Sequence, residues 1–171
     1  MTKRIKTTKQ QIVDYWEAQI DFSDTNVSLK QATTHCWRCG VKRRLDRCHI
    51  LAHALGGSDS PENFVLLCKF CHIDNPNIDD STIVWDWIKA YKLPDGVDFW
   101  YHQGQREFTF IYGSSLDAML ETKGYFDRDE FDLAFKHQMT LMTHHFGQPR
   151  YNRATVAGAI KRALDSLENR R

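Results

Sequence analysis

Long apolar segments are missing from this sequence. No run approaches the roughly 20 residues that span a membrane as a helix, and the first residues, Met-Thr-Lys-Arg-Ile-Lys, lack the apolar core of a signal peptide. We therefore expect a cytoplasmic protein without a membrane partner. Internal repeats, low-complexity tracts and a recognisable linker are absent from the sequence as well, which favours one compact unit.

A strong excess of charge of one sign is also lacking. The 171 residues include 23 Lys and Arg against 22 Asp and Glu, a formal net charge of +1. The charges are unevenly spread: residues 1–50 carry ten basic and five acidic side chains, residues 51–135 six and fifteen, and residues 136–171 seven and two. Basic ends around an acidic middle could contact a phosphate backbone from two sides, although solvated charge without a ligand gives the same pattern.

Cysteine is present in an odd number, five, which does not suit a complete set of disulfides. Four of the five form two Cys-x-x-Cys pairs, Cys36 with Cys39 and Cys68 with Cys71, separated by 28 residues. A Cys-x-x-Cys turn presents two sulfurs to one ion, and zinc takes four thiolates in a tetrahedron. The spacing therefore predicts a structural zinc, with Cys48 left over.

Short β and α patterns lie between and after the two cysteine pairs. Residues 45–51 and 64–67 are predicted strands, joined by a loop with Gly56, Gly57 and Pro61. A short helix should follow Cys68 and stop near Asn75, because the residue before a proline disfavours helix. The expected order is strand, strand, helix, with metal ligands at both ends.

The flanking regions are mainly helical in pattern. A capping box at Thr8 and Gln11 predicts a helix over about residues 8–20, and Asp80 or Ser81 can cap a helix ending near residues 93–96. Alternating residues predict a strand at 107–112, and helices are expected at about 114–123, 128–145 and 153–168. The predicted organisation is a basic arm and helix at 1–34, a zinc module at 35–78 and a mainly helical region at 79–171.

Two histidines in the zinc module carry the candidate chemistry. His49 lies near the centre of the first predicted strand, and a neutral imidazole can accept a proton from water. Asn63, at the start of the second strand, could hydrogen-bond this histidine or its backbone. His72, at the start of the following helix, can hold a second metal. These are the parts needed for metal-assisted phosphodiester hydrolysis.

The combination resembles the HNH endonucleases of the ββα-metal superfamily over about residues 36–76. The matching segments are Asp46-x-x-His49-Ile50, Gly56-Gly57-Ser58-Asp59, Pro61-Glu62-Asn63 and Leu66-Leu67-Cys68-x-x-Cys71-His72. The resemblance implies an α+β fold with a ββα-metal motif. It also implies that His49 is the general base, that Asn63 helps to orient it, and that His72 binds a divalent catalytic metal (Mg²⁺, Mn²⁺ or Zn²⁺).

Two positions depart from the family pattern. Cys48 stands where many members carry a metal-binding Asp or His, and Pro76 stands where some members carry a further ligand. Cys48, Asp46 or Asn75 could supply another ligand, while a small buried apolar role is the alternative for Cys48. Asp46 matches a carboxylate that part of the family carries three residues before the base and that supports the site without binding the metal; here it could tune His49 or hold Arg44 or Arg47.

Double-stranded DNA is the expected partner. Lys42, Arg43, Arg44 and Arg47 lie beside the site in sequence, and His53 is a candidate phosphate contact. Further cations are Lys3, Arg4, Lys6, Arg150, Arg153, Lys161 and Arg162. Such contacts position a duplex without specifying its sequence. The leading hypothesis is a DNA-cutting HNH endonuclease, with a homodimer as one alternative for its oligomeric state. The competing hypothesis is a zinc-stabilised nucleic-acid-binding module without cleavage activity.

Overall fold

Helices and one small sheet build the structure. The computed structural model describes residues 5–122, 124, 127–144 and 151–169. In these ranges there are seven α-helices and a two-stranded sheet, so the predicted α+β class is confirmed. The contacts define two compact units, Met1–Asp95 and Gly96–Arg171, where the sequence had favoured one. The boundary expected between residues 78 and 79 lies inside the first of these units.

The first unit begins with helix α1, Lys9–Glu17. The predicted capping box is present: the Thr8 hydroxyl accepts from the Gln11 backbone N–H at 3.2 Å, and the Thr8 N–H donates to Gln11 Oε1 at 2.8 Å. Ile12 and Val13 are buried. Trp16 Nε1 donates to the Phe64 carbonyl at 2.8 Å, so α1 is tied to the sheet.

An antiparallel hairpin forms the centre of the first unit. Strand β1, Leu45–His49, pairs with strand β2, Phe64–Cys68, in a register that places Leu45 opposite Cys68 and His49 opposite Phe64. All five residues of β2 are buried. Helix α2, Lys69–Ile73, follows immediately, and helix α3, Ser81–Lys89, is capped by Asp80. The predicted order of strand, strand and helix is confirmed, although β1 ends two residues early.

The second unit is helical. Its elements are α4 (Phe99–Tyr112), α5 (Leu116–Thr122), α6 (Arg128–Thr140) and α7 (Arg153–Glu168). Helix α7 begins after Asn152, whose side chain accepts from the Thr155 N–H at 2.8 Å. Phe108, Phe131, Ile160 and Leu164 belong to its apolar core. Helix α6 ends at Thr140, before the predicted end at residue 145, and the predicted end of α5 at residue 123 lies outside the described residues.

The strand predicted at residues 107–112 is wrong, since this segment is the C-terminal half of α4. The Asp98 side chain starts the helix by accepting from the Tyr101 N–H at 2.7 Å. Burial then follows the helical period. Phe108 is 0% exposed and Phe110 is 86% exposed, whereas a strand would place these two rings on the same face.

No helix within the described ranges combines the length and apolar character that crossing a bilayer requires.

Candidate metal centre and histidine cleft

Four cysteine sulfurs meet in the interior of the first unit. The Sγ atoms of Cys36, Cys39, Cys68 and Cys71 all lie within 4.8 Å of one another, and all four residues are buried. The distance from Cys39 Sγ to Cys68 Sγ is 3.9 Å, close to the edge of about 3.8 Å that follows from zinc–sulfur bonds of about 2.3 Å in a tetrahedron. The two Cys-x-x-Cys pairs are therefore positioned to hold one metal ion, as the spacing predicted.

Backbone hydrogen bonds hold the first cysteine pair against the hairpin. The Gly40 N–H donates to the Cys36 carbonyl at 2.8 Å and closes the turn, and the Trp37 N–H donates to the Leu66 carbonyl at 3.0 Å. Cys68 ends β2, and Cys71 lies one turn into α2. The metal centre thus joins the first turn, the sheet and the helix at one point.

Hydrogen bonding among the packed thiols lowers the pKa of Cys68 and raises the pKa of Cys39 and Cys71, so the four do not ionise together without a cation. Hydrogen bonding with Cys36 raises the pKa of Cys39 and of Cys71 far above the usual range for a thiol. A divalent cation relieves this conflict because it binds thiolates and displaces their protons. The donor set, four buried sulfurs, is the chemistry that zinc prefers.

A cleft of about 300 Å³ opens at the far end of the hairpin. Strand β1 supplies His49, the loop after it supplies His53, and α2 supplies His72. The complete lining consists of Cys48, His49, Ala52, His53, His72, Ile73, Asn75 and Asn77. The structure therefore brings His49 and His72, the two predicted site histidines, into one cleft.

In comparisons with family models, curated proteins and solved structures, nothing matched this chain. The site is therefore interpreted from its own geometry.

The His49 ring is half-buried at the end of β1. It packs against the Phe64 ring of the facing strand, with 4.5 Å between the ring centroids. Burial lowers the pKa of His49 below its ordinary value, and nearby His53 adds to the effect. A lowered pKa keeps this imidazole neutral at pH 7, the form that accepts a proton.

Asp46 contacts His72. Its Oδ2 lies 3.2 Å from His72 Nδ1, and both side chains are partly exposed. The partners suggested by the sequence were His49, Arg44 or Arg47. In the structure the carboxylate contacts His72 on α2 instead.

Asn63 organises the loop between the two strands. Its Oδ1 accepts from the Leu51 N–H at 2.8 Å, and its Nδ2 donates to the Leu51 carbonyl at 3.0 Å and the Ser58 carbonyl at 2.9 Å. Gly57 lies so close to Leu51 that a Cβ added to Gly57 would come 1.8 Å from the Leu51 carbonyl oxygen. Asn63 is thus a positioning residue that fixes the backbone just after His49.

Cys48 faces the interior. It is 1% exposed, and burial raises the pKa of its thiol to about 12. The burial fits the alternative of a small interior side chain. In the part of the chain that the structure describes, the four-cysteine group is the one set of three or more Cys, His, Asp or Glu side chains within reach of a common ion.

Asn75 is a further polar group of the cleft. Its Nδ2 donates to the His49 carbonyl at 3.4 Å and the Pro76 carbonyl at 2.9 Å. Its Oδ1 is buried and has no hydrogen-bond partner among the described residues. From the sequence, Asn75 was only one of several alternative ligands, because a position in the sequence does not show which way a carboxamide side chain points.

The candidate DNA-contacting cations differ in their availability. Lys42 and Arg44 are exposed. Arg47 Nη1 donates to the Thr7 carbonyl at 2.8 Å, and the Arg43 guanidinium stacks 5.2 Å from the Phe70 ring centroid. Arg153 pairs with Glu107 and Lys161 with Asp165, whereas Lys3, Arg4 and Arg150 lie outside the described residues. Lys6 and Arg162 are exposed like Lys42 and Arg44.

Proposed function

We propose that this chain is a metal-dependent endonuclease of the HNH type that hydrolyses phosphodiester bonds of double-stranded DNA. The observation that carries the proposal is the cleft lined by both His49 and His72 at the end of a hairpin followed by a helix. A proton acceptor and a metal-binding imidazole in one cleft are the two groups that metal-assisted phosphodiester hydrolysis needs.

In this proposal the four cysteines hold a structural zinc. The site is closed, since all four ligands are buried protein sulfurs, which is typical of structural zinc sites. Its role is to fix β2 and α2 relative to the first cysteine turn. His72 directly follows the ligand Cys71, so the same ion would also set the position of the helix that presents His72 to the cleft.

His49 would act as the general base. Its lowered pKa leaves the ring neutral at pH 7, and packing on Phe64 limits its rotation. Asn75 and Asn63 hydrogen-bond the backbone at His49 and Leu51, respectively. The imidazole can therefore take a proton from a water that attacks phosphorus in line with the departing 3′ oxygen.

His72 would hold the divalent metal. The Asp46 contact at Nδ1 leaves Nε2 for a metal ion, the arrangement in which a carboxylate orients a metal-binding histidine. The Asn75 Oδ1, buried and without a partner among the described residues, is a second donor for the same ion. A divalent ion bound there supplies a Lewis acid for the phosphate and the leaving oxygen.

The alternative is a zinc-stabilised nucleic-acid-binding module without cleavage. The observation in its favour is that, in the described ranges, no two further Cys, His, Asp or Glu side chains lie close enough to share an ion with His72. Pro76 and Cys48 stand where the family pattern has possible ligands. Under this alternative, exposed Lys42 and Arg44 contact phosphates, but no water is activated.

A plasmid-nicking assay with Mg²⁺, Mn²⁺, Zn²⁺, Co²⁺ and Ni²⁺, run alongside filter binding to the same DNA, separates the two functions. We expect nicking with at least one of these metals, abolished by EDTA and leaving 5′ phosphate and 3′ hydroxyl ends. DNA binding without nicking in every metal would replace the nuclease by the binding module. Absence of salt-dependent DNA binding would overturn both.

A further inference from the structure

A second pocket, of about 450 Å³, lies within the helical second unit. Its walls come from helices α4, α6 and α7 and from the residues that flank them. The complete lining consists of Asp98, Trp100, Tyr101, Phe135, Met139, His144, Tyr151 and Val156. This volume is in the range that small organic ligands occupy. The proposed nuclease chemistry uses none of these residues.

Five of the eight lining side chains are aromatic, and the rings that contact each other are inclined. The Tyr101 and Phe135 ring centroids are 5.0 Å apart, with 55° between the ring planes. The His144 and Tyr151 centroids are 4.3 Å apart, with 54° between the planes. A flat nucleobase needs a parallel face on which to stack. Inclined rings instead present their faces to a rounded group from several directions.

The pocket carries negative charge. With histidine neutral, the one formal charge among the described lining residues is the carboxylate of Asp98. Its Oδ1 accepts from the Tyr101 N–H at 2.7 Å, and a carboxylate has a second oxygen for a ligand. Arg128 contacts the Tyr101 hydroxyl at 3.4 Å, but ion pairs with Asp117 and Asp132 offset its charge.

Aromatic faces and a carboxylate together favour an organic cation. The face of an aromatic ring is negative and attracts a cation that lies over it. An alkylated ammonium group suits such a site because its methyl groups are apolar, so it can leave water and contact the rings closely. We propose that this pocket binds a methylated or quaternary ammonium group, with the Asp98 carboxylate as the opposite charge. The inference is independent of DNA cleavage.

Contacts behind the rings hold the walls in position. The Tyr151 hydroxyl lies 3.3 Å from the Met139 carbonyl oxygen and 3.2 Å from that of Met142, which ties the start of α7 to the end of α6. The Phe135 ring stacks on the fully buried Phe131 ring, with 6.2 Å between the centroids. The pocket is therefore formed before a ligand enters, which lowers the entropy cost of binding.

Titration of the full chain with choline tests the proposal, with ¹⁵N-labelled tryptophan indoles as the reporters. We expect the indole N–H resonance of Trp100, assigned with Trp100→Phe, to shift saturably. Choline should bind at least about 5-fold more tightly than 3,3-dimethylbutan-1-ol, its neutral isostere, because only the cation gains from the ring faces and the carboxylate.

Two variants separate the charge from the rings. Asp98→Asn keeps a good helix N-cap but removes the charge, so its affinity for choline should fall at least about 5-fold with an unchanged urea midpoint. Phe135→Leu removes one ring and should weaken choline binding more than binding of the isostere. Phe110→Leu is the matched control, because Phe110 also lies on a helix of this unit but is 86% exposed and is not a lining residue.

The possible outcomes decide the proposal. A lack of saturable choline binding, equal affinity for choline and its isostere, or wild-type choline affinity in Asp98→Asn would each overturn it. A Trp100 shift produced by adenosine but not by choline would also overturn it, in favour of a nucleobase site. Should Phe135→Leu not fold, Asp98→Asn carries the test.

Discussion

Asp46 and His72 form a hydrogen bond that, in the proposed function, would prepare His72 to bind a metal. The contact from Asp46 Oδ2 to His72 Nδ1, at 3.2 Å, fixes the imidazole ring and directs Nε2 away from the carboxylate. Carboxylate partners of this kind raise the basicity of the ligand and hold its orientation. In the proposed nuclease the pair would raise metal affinity although Asp46 need not contact the ion.

Replacing Asp46 by Asn should weaken the binding of the proposed catalytic metal. We expect the Mn²⁺ concentration for half-maximal nicking to rise by about 10- to 100-fold, with the zinc content unchanged. Asp86→Asn, which changes an exposed carboxylate of α3, is the matched control. An unchanged Mn²⁺ requirement in Asp46→Asn would show that the carboxylate does not support His72.

The pKa of His49 predicts the acid limb of the activity. Burial lowers this pKa, so protonation of the base, and with it the loss of cleavage, should occur below the ordinary histidine value of about 6.5. The same shift makes protonation favour the unfolded chain as the pH falls below that value. A single-turnover pH–rate profile checks the point, and an acid limb at or above pH 6.5 would contradict it.

Residue types and spacing were enough to predict the ligands of the metal centre, because a Cys-x-x-Cys turn constrains both sulfurs locally. The partner of Asp46 could not be predicted in the same way. It depends on which face of β1 each side chain occupies and on where α2 lies, and both follow from tertiary packing.

At the scale of elements, the hairpin and α2 have the structure that the sequence predicted, whereas the C-terminal half of α4 does not. The segment 107–112 alternates apolar and polar residues over too short a stretch to distinguish a strand from the end of a helix. The cap at Asp98 and the burial of Phe99, Gln103 and Phe108 fit one continuous helix. The helical period becomes visible only when the preceding turns are included.

Helices α4 and α7 approach each other closely at Gly104. A Cβ added there would lie 2.1 Å from Val156 Cγ1, so Gly104→Ala requires the helices to move apart. We expect this overpacking to reduce the free energy of unfolding by about 1–3 kcal/mol, measured by urea denaturation. Gly158→Ala on α7 is the matched control: its added Cβ meets nothing within 4 Å, so it should be neutral or stabilising. Equal stability of the two variants would contradict the close approach.

For the molecule as a whole, the distribution of charge suggested a DNA partner but did not show which residues would form the binding surface. The first 50 residues are basic in sequence. In the structure, however, Arg47 hydrogen-bonds the Thr7 carbonyl and the Arg43 guanidinium stacks on the Phe70 ring. Lys42 and Arg44 remain exposed, and phosphate contacts made by exposed cations give strongly salt-dependent binding. The helices of the second unit were mostly predictable, but they carry no motif from which a target could be inferred.

The central claim, that His49 activates water for phosphodiester hydrolysis, is tested most directly by the single-turnover nicking rate of His49→Ala. His35→Ala is the matched control, because His35 belongs to the same unit and its ring contacts the Thr34 hydroxyl at 2.8 Å, outside the cleft. We expect His49→Ala to lose at least about 100-fold in rate with its zinc content and DNA affinity retained, and His35→Ala to match the wild type. Wild-type cleavage by a clean, zinc-loaded His49→Ala preparation would contradict the claim.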